Sequence, residues 1–259
     1  MAGKKRSGLA NDRRAYGCGR IYKPPTPVCP SITIADIATY DGSFWVLNNN
    51  TTILACQTLT IDLGTLLVVP PGLTLTNNGT IVNNYIFGNF YGGAITNNGI
   101  IANYGNGGGL INLSNLFINN GIINVLNAST FANSLGSGEY DVTLTNNGNI
   151  NIALGGTLSN ISTLINNYSG GNINNRGTIE NDQAYINNAG GTITNYSGGT
   201  IINYISSTIY NNTGGIINNN SGATFTNNGT ISNADGSSTC GIGIINGTIS
   251  GTIDTSCPT

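Results

Sequence analysis

The chain has 259 residues, of which 7% are charged, against about 25% in an ordinary domain. It contains no histidine, and its five cysteines show no CxxC spacing, which argues against a zinc site. The net charge of −2 hides a division, because residues 1–30 hold seven basic residues and one acid, whereas residues 31–259 hold one basic residue and nine acids.

The first segment, residues 1–30, is predicted to be an extended basic arm, since Lys23-Pro24-Pro25 and Pro27 favour polyproline II. We expect it to dock on the acidic surface of a neighbouring copy, with a solvated tail as the alternative. Nucleic acid is not an expected partner, because the arm has only Tyr16 and Tyr22 for stacking. The basic residues proposed for docking are Lys4, Lys5, Arg6, Arg13, Arg14, Arg20 and Lys23.

Neither a classical signal peptide nor a membrane span is predicted. Residues 1–30 lack the apolar run of a secretory signal. The longest apolar run, residues 66–69, is far too short to cross a bilayer.

Residues 31–72 are predicted to form strands that cap the amino-terminal end of a larger structure. Residues 44–47 form a compact apolar run with the single tryptophan, and residues 70–72 (Pro-Pro-Gly) predict a turn. Larger side chains suit a cap, since an uncapped end would leave an exposed strand edge.

Residues 73–233 repeat a degenerate phrase, Thr-Asn-Asn-Gly-Thr-Ile, with steps of 20 and 22 residues between the Asn pairs that begin at positions 77, 97 and 119. Apolar residues and Thr alternate, as in a strand with one buried face, and Gly and Asn between them tolerate the positive φ of tight corners. A coil of about 20 residues cannot bury this face alone, whereas stacked coils can. Two segments, 85–93 and 131–141, lengthen the period and are expected to loop out.

The stacked coils should align asparagine side chains in a ladder, as in cross-β stacks. The absence of proline between Gly72 and Cys257 fits strands that are paired on both sides and cannot spare an N–H. The predicted ladder residues are Asn77, Asn97, Asn119, Asn146, Asn166, Asn187 and Asn227.

Residues 234–259 are expected to cap the carboxyl-terminal end. The cysteines lie outside the repeats, where they would staple the ends. Cys18 with Cys29 and Cys240 with Cys257 are plausible disulfides, with Cys56 free or joining subunits, although the sequence does not determine connectivity.

The sequence offers little for catalysis. Polysaccharide-cleaving solenoids need paired acids, or an acid beside Arg or Lys. The repeats provide one arginine and the pairs Glu139/Asp141 and Glu180/Asp182, each interpreted as solvated surface acids. We therefore predict no catalytic residue, no metal site and no cofactor. Tyrosines recur near the corners, where they stack on one another or contact sugars; they are Tyr168, Tyr185, Tyr196, Tyr204 and Tyr210.

The lead-in Val69-Pro70-Pro71-Gly72 and the Asn-Asn-Gly-Thr-Ile copies that follow resemble the Asn-rich repeat proteins of amoeba-infecting giant DNA viruses. They resemble, more distantly, bacterial adhesins of the filamentous-haemagglutinin type. The resemblance spans residues 59–255 and implies a parallel β-helix with a structural or adhesive role, but transfers no functional residue.

The predicted architecture is all-β: a single right-handed parallel β-solenoid with capped ends and an extended amino-terminal arm. The predicted function is non-enzymatic, a self-assembling subunit of a fibre, tubule or virion surface layer. A homo-oligomer or polymer is the expected partner, at a virion or extracellular fibre surface. The alternative is a surface adhesin that binds host glycans on its outer face.

Overall fold

The computed structural model describes residues 29–104, 108–135 and 142–233, with the backbone of two further strands at 244–247 and 253–254. It confirms a parallel β-solenoid, which has about eight turns of about 22 residues rather than 20. Each turn contributes one strand to each of three sheets, which we call sheets A, B and C in the order that the chain visits them.

The strands are short and stack in strict order along the solenoid. Sheet A contains β1 (Ala38–Tyr40), β2 (Trp45–Leu47), β5 (Leu66–Val69), β8 (Ile86–Phe90), β11 (Gly109–Leu113), β14 (Thr130–Ser134), β17 (Thr157–Ile161), β20 (Thr178–Asp182), β23 (Thr200–Asn203) and β26 (Thr224–Asn227). Sheet B contains β3 (Thr51–Ile53), β6 (Thr74–Asn77), β9 (Ala94–Asn97), β12 (Phe117–Asn119), β15 (Thr143–Asn146), β18 (Leu164–Tyr168), β21 (Tyr185–Ala189), β24 (Thr208–Asn211), β27 (Thr230–Ser232) and β29 (Ile253–Asp254). Sheet C contains β4 (Thr58–Ile61), β7 (Thr80–Asn83), β10 (Ile100–Asn103), β13 (Ile122–Val125), β16 (Asn149–Ile152), β19 (Asn172–Asn175), β22 (Thr192–Asn195), β25 (Ile216–Asn219) and β28 (Ile244–Gly247).

The four-residue pattern Thr-apolar-x-Asn explains both the strand and its orientation. In β6 and β7 the first and third residues are half-buried and the second and fourth are buried. Because side chains alternate across a strand, the apolar residue and the asparagine both point inward. The repeat therefore buries one apolar and one amide side chain per strand.

The apolar side chains form one continuous core along the axis. Each coil contributes one from each sheet, for example Leu67, Leu75 and Ile81, all fully buried. Phe117 and Phe131 contact each other in successive coils near the middle of the solenoid, with ring centroids 5.3 Å apart. At roughly 1.5–3 kcal/mol per buried side chain, this column is the main source of stability.

The amino-terminal end is closed by a short helix, α1 (Ile34–Ile37), and by β1. Asp36 accepts hydrogen bonds from the Thr33 N–H at 2.7 Å and the Thr33 hydroxyl at 2.8 Å, which caps the helix. β1 then pairs with β2 in the antiparallel direction, whereas the other strand pairs that the structure describes are parallel. The parallel stack of sheet A therefore ends in a strand of opposite direction.

Glycine is required at the corner from sheet B to sheet C because the backbones of successive coils approach closely. A Cβ on Gly99 would overlap the backbone oxygen of Gly79. The Gly99 N–H also donates to the Asn77 carbonyl, at 3.0 Å. The prediction that asparagine supplies positive φ at corners is wrong for the described ranges. The non-glycine residues with positive φ there are Tyr91, Ala128, Ser162, Gln183 and Ser206.

The predicted insertions and the predicted cysteine pairing require correction. Residues 86–90 form β8 and residues 130–134 form β14, so the segment 85–93 is not an insertion and the extra residues of the later coil begin only after Ser134. Cys29 is bonded to Cys56, with a Cα–Cα distance of 5.8 Å, so the Cys18–Cys29 pair and the free Cys56 are wrong. The physical reason is that the chain folds back along the first coil, where the Pro30 carbonyl accepts a hydrogen bond from Gln57 Nε2 at 3.2 Å.

The predicted segment boundaries stay predictions. Residues 45–69, within the predicted cap, already supply strands to all three sheets, so that segment contains both the terminal cap and the start of the solenoid. Residues 1–28, with the seven basic residues of the arm and Cys18, lie outside the described residues, as do Cys240 and Cys257.

Candidate functional site

The most regular polar feature is a column of buried asparagine amides at the end of the sheet B strands, which we call the B ladder. Each Nδ2 donates to the Oδ1 of the asparagine one coil further on, at 2.7–2.9 Å. Its members are Asn77, Asn97, Asn119, Asn146, Asn167, Asn188, Asn211 and Asn233. The amide dipoles are therefore aligned head to tail along the solenoid.

Each amide also ties the backbone of the next coil. Asn119 Nδ2 donates to Asn146 Oδ1 at 2.7 Å and to the Asn149 carbonyl at 3.2 Å, while Asn119 Oδ1 accepts from Asn97 at 2.8 Å. The second donor thus reaches a backbone carbonyl just past the corner, at the start of the sheet C strand β16. A buried polar group left without such a partner costs about 1–3 kcal/mol.

A second column, the A ladder, lies at the end of the sheet A strands. It joins Asn112, Asn133, Asn160, Asn181, Asn203 and Asn227 at 2.6–2.8 Å. One coil before Asn112, Asn89 occupies the equivalent position, and its Oδ1 is buried without a hydrogen-bond partner in the described part of the chain. The position one coil before Asn89 is occupied by Val69, which has no donor to offer.

The third column, at the end of the sheet C strands, is interrupted. Asn83 donates to Asn103 at 2.6 Å. Val125 and Ile152 then occupy the inward position in two successive coils. The column resumes as Asn175, Asn195 and Asn219, with 2.8 Å between amides. We call these two pieces the C ladder.

All seven predicted residues take part in amide ladders, but not in a single column: Asn77, Asn97, Asn119 and Asn146 lie in the B ladder. Asn227 belongs to the A ladder, and Asn187 donates to Asn166 at 3.0 Å in an outer column, beside the B-ladder residues Asn167 and Asn188. The alternation of side chains along the strand identifies the inward asparagine. Ile165 is buried, so Asn167, two residues later, also faces inward. The A and C ladders were not recognised as separate columns because, except for Asn227, their asparagines do not stand in the Asn-Asn-Gly phrase.

Exposed asparagines form further ladders of opposite polarity. Asn98 donates to Asn78, Asn120 to Asn98 and Asn147 to Asn120, at 2.9–3.0 Å. Here the donor belongs to the later coil, whereas in the buried ladders it belongs to the earlier one. Amide–amide bonds therefore connect successive coils both in the interior of the solenoid and on its outer surface.

The titratable groups lie outside these ladders. Hydrogen bonds from the Thr33 side chain and backbone lower the pKa of Asp36. Those from the Phe44 and Ser43 N–H groups lower the pKa of Asp41. Glu180 and Asp182 project from the outer face of β20; Glu139 and Asp141 lie outside the described residues. Within the described ranges, no group of three or more His, Cys, Asp or Glu side chains could hold a metal ion.

Two of the tyrosines predicted to recur near corners contact each other. Tyr185 and Tyr210 stack with ring centroids 6.2 Å apart and an interplanar angle of 18°. Tyr196 instead lies under the Arg176 guanidinium, 4.2 Å from the ring centroid. Only the first pair presents two stacked rings that are both largely exposed.

These features define a parallel β-solenoid protein whose coils are joined by buried amide ladders. No protein-family profile and no curated protein matches the chain. A solved structure that matches is the crystal structure of a TibC-catalysed, hyper-glycosylated fragment of TibA, residues 55–350. It is 16% identical, the alignment covers 79% of this chain and 90% of that one, and the TM-score is 0.19, so we draw no argument from it. No helix in the described ranges has the length and apolarity needed to cross a membrane.

Proposed function

We propose that this chain is a structural protein, a self-assembling subunit of a fibre, tubule or virion surface layer. The observation that carries the proposal is the continuous axial bonding: three sheets of nine or ten strands, with buried amide columns at their corners. This arrangement resists axial extension and bending, because separating two coils breaks strand and ladder hydrogen bonds together. The buried asparagine amides link successive coils to one another, which suits a mechanical role.

The surface supports association as well as rigidity. The chain has 18 charged residues in 259, so little like-charge repulsion opposes contact between copies. The basic arm and the acidic remainder provide opposite charges within one chain. We propose that the arm docks on a neighbouring subunit at a virion or extracellular fibre surface.

Negative-stain microscopy and sedimentation velocity of the full-length protein test this function. We expect fibres, tubules or concentration-dependent oligomers. The matched variant lacks residues 2–28, which keeps Cys29 and the cap and should assemble less. Single rods of one mass at every concentration would contradict the proposal.

A surface adhesin that binds glycans is the second candidate, and the stacked Tyr185 and Tyr210 favour it. Their rings are exposed to 48% and 37%, and aromatic faces of this kind stack on sugar rings. A glycan array probed with the wild type and with Tyr185→Ala/Tyr210→Ala tests it. Binding that the double variant loses would support the adhesin, and no binding by either protein would exclude it.

A further inference from the structure

One corner of the solenoid exposes a large apolar side chain in every one of six consecutive coils. This corner, between sheets A and B, carries the residues that we call the corner row: Tyr91, Leu116, Leu135, Ile161, Tyr185 and Ile205, exposed to between 38% and 76%. The corner from B to C exposes Leu54, Ile100 and Tyr168 in separate coils, and the corner from C to A exposes Leu63, Tyr104 and Leu154. In the described part of the chain, only the first corner has an unbroken series.

The backbone beside the corner row is strained. Four of the five non-glycine residues with positive φ in the described ranges lie at this corner: Tyr91, Ser162, Gln183 and Ser206, with φ between 43° and 66°. Left-handed backbone costs free energy for residues with a Cβ; glycine, which avoids this cost, is used at the other corners and, as Gly72 and Gly92, in two early coils of this one. Strain that persists in this way concentrates at functional positions.

A groove of about 400 Å³ opens on the corner row. Leu135, Val142, Leu164 and Tyr185 supply apolar walls, and Ser162 and Thr163 supply polar groups. This size admits one or two side chains of a docked segment.

Carboxylates flank the groove. Asp182 pairs in register with Ile161, and its carbonyl accepts the Ser162 N–H at 2.9 Å. Glu180 lies two residues earlier on the same outer face, so the two carboxylates are about 7 Å apart along the strand. Neither forms an ion pair within the described residues, where the single basic side chain, Arg176, lies over Tyr196.

We propose that the corner row, with its groove and the carboxylates of Glu180 and Asp182, is the docking site for the basic arm, residues 1–28, of a second copy of this chain. The inference rests on the proposed function and names the surface that the arm contacts. The arm carries seven basic residues and one acid, which complements the unpaired carboxylates, and it carries apolar residues for the row, such as Leu9, Ile21 and Tyr22. Fully extended it spans about 95 Å, against about 24 Å for six coils.

Two features of the amino-terminal end favour docking between copies. Cys29 is bonded to Cys56 at the corner from sheet B to sheet C, so the chain's own arm departs from a different corner than the row. The antiparallel β1 also closes sheet A to a further parallel strand, which leaves side surfaces to connect copies. The arm of one copy on the corner row of the next provides such a lateral link.

Charge exchange between the arm and the row is the first test. We expect Glu180→Lys/Asp182→Lys to weaken association of the full-length protein by about ten-fold or more in sedimentation velocity, and Lys4→Glu/Lys5→Glu/Arg6→Glu to do the same. Joined in one chain, the two sets should associate about three-fold or more tighter than the row variant alone, because the three glutamates attract the two lysines and the arm's net charge falls from +6 to 0. Ile161→Ser should weaken association, whereas the control Leu154→Ser, 73% exposed at another corner, should not. Circular dichroism confirms that each variant is folded.

Mixing identifies which copy supplies the arm. A chain without residues 2–28 and the chain with Glu180→Lys/Asp182→Lys should each associate poorly alone. Mixed, they should form a heterodimer, because one supplies the intact row and the other the intact arm. If they do not, or if row variants associate normally while the wild type assembles, the docking site is refuted and the structural function stands. If the wild type never associates, the proposed function fails as well.

Discussion

At the scale of single residues, the inward position that ends a strand selects asparagine. Its short side chain presents two N–H donors and one carbonyl acceptor. Each capability is used in the B ladder: one donor reaches the next amide, the other reaches the next coil's backbone, and the oxygen accepts from the previous coil. Aspartate would lack the donors and would bury a charge, and leucine would match the volume but leave its neighbours without partners.

Truncating a buried rung should cost far more than truncating an exposed one. Asn119→Ala removes the acceptor of Asn97 and the donor to Asn146, both fully buried, and should lower the free energy of unfolding by about 3 kcal/mol. Asn120→Ala, one residue on, removes the exposed amide bonds to Asn98 and from Asn147 and should change the free energy of unfolding by less than about 0.5 kcal/mol. Guanidinium unfolding of both variants measures the difference. Equal losses of unfolding free energy in the two variants would show that the buried ladder contributes no more to stability than the exposed one.

At the scale of the elements, the corner from sheet B to sheet C is limited by the distance between coils. A Cβ on Gly121 would overlap the backbone oxygen of Gly99 and lie 2.7 Å from the carbonyl carbon of Asn98. Since these are backbone atoms, they cannot move aside without separating the coils.

Gly121→Ala should therefore destabilise the solenoid by about 1–3 kcal/mol, as overpacking does in cores. The thermal midpoint measures it, with Asn120→Ala as the adjacent control. A midpoint unchanged from the wild type would mean that the corner is looser than the structure shows.

The helix cap should respond to acid. Hydrogen bonds from Thr33 lower the pKa of Asp36 below its ordinary 3.8, so its stabilising contribution is present above that value and is lost as the pH falls through the lowered pKa. We expect the Thr33 amide proton resonance to titrate with Asp36, at a pH below that carboxyl's ordinary pKa, in NMR spectra. In Asp36→Asn this titration should be absent, and a Thr33 signal that still titrated there would assign the effect to another group.

At the scale of the whole molecule, the solenoid must stop its own growth. Parallel strands at either end present unpaired N–H and carbonyl groups to any similar edge. At the amino-terminal end, β1 covers β2 in the antiparallel direction and α1 packs near β4. These elements block end-to-end stacking of copies at this end of the solenoid. The side surfaces then remain available for the lateral assembly that the proposed function needs.

Removing this cap should open axial association. A chain lacking residues 2–43 exposes the edge of β2 and should form end-to-end oligomers or aggregates in light scattering and microscopy, whereas a chain lacking residues 2–28 retains β1 and should not. Rods of unchanged length in the first variant would show that β1 is not the element that ends the stack.

Much of the architecture was accessible from the amino-acid sequence. The alternation of apolar residues, the recurrence of Asn-Asn-Gly and the absence of proline from residues 73–233 determined a stacked parallel solenoid, because period-two burial and obligatory pairing leave few other solutions. The presence of an asparagine ladder followed from the same recurrence. The membership of each column did not, because in β18 Asn166 takes the outward position that Thr145 holds in β15, so the inward residue is the second asparagine of the pair, Asn167.

Tertiary structure alone decided the features that depend on which distant residues meet. The chain reversal that brings Cys29 to Cys56, the antiparallel β1, and the A and C ladders all join positions through the stacking of coils. The corner row is of the same kind: its residues are 19–26 positions apart without a shared motif, and only the winding of the chain aligns them. Local sequence thus determined which side chains each strand buries. The register between coils, which all three sheets set together, decided which residues of different coils are neighbours.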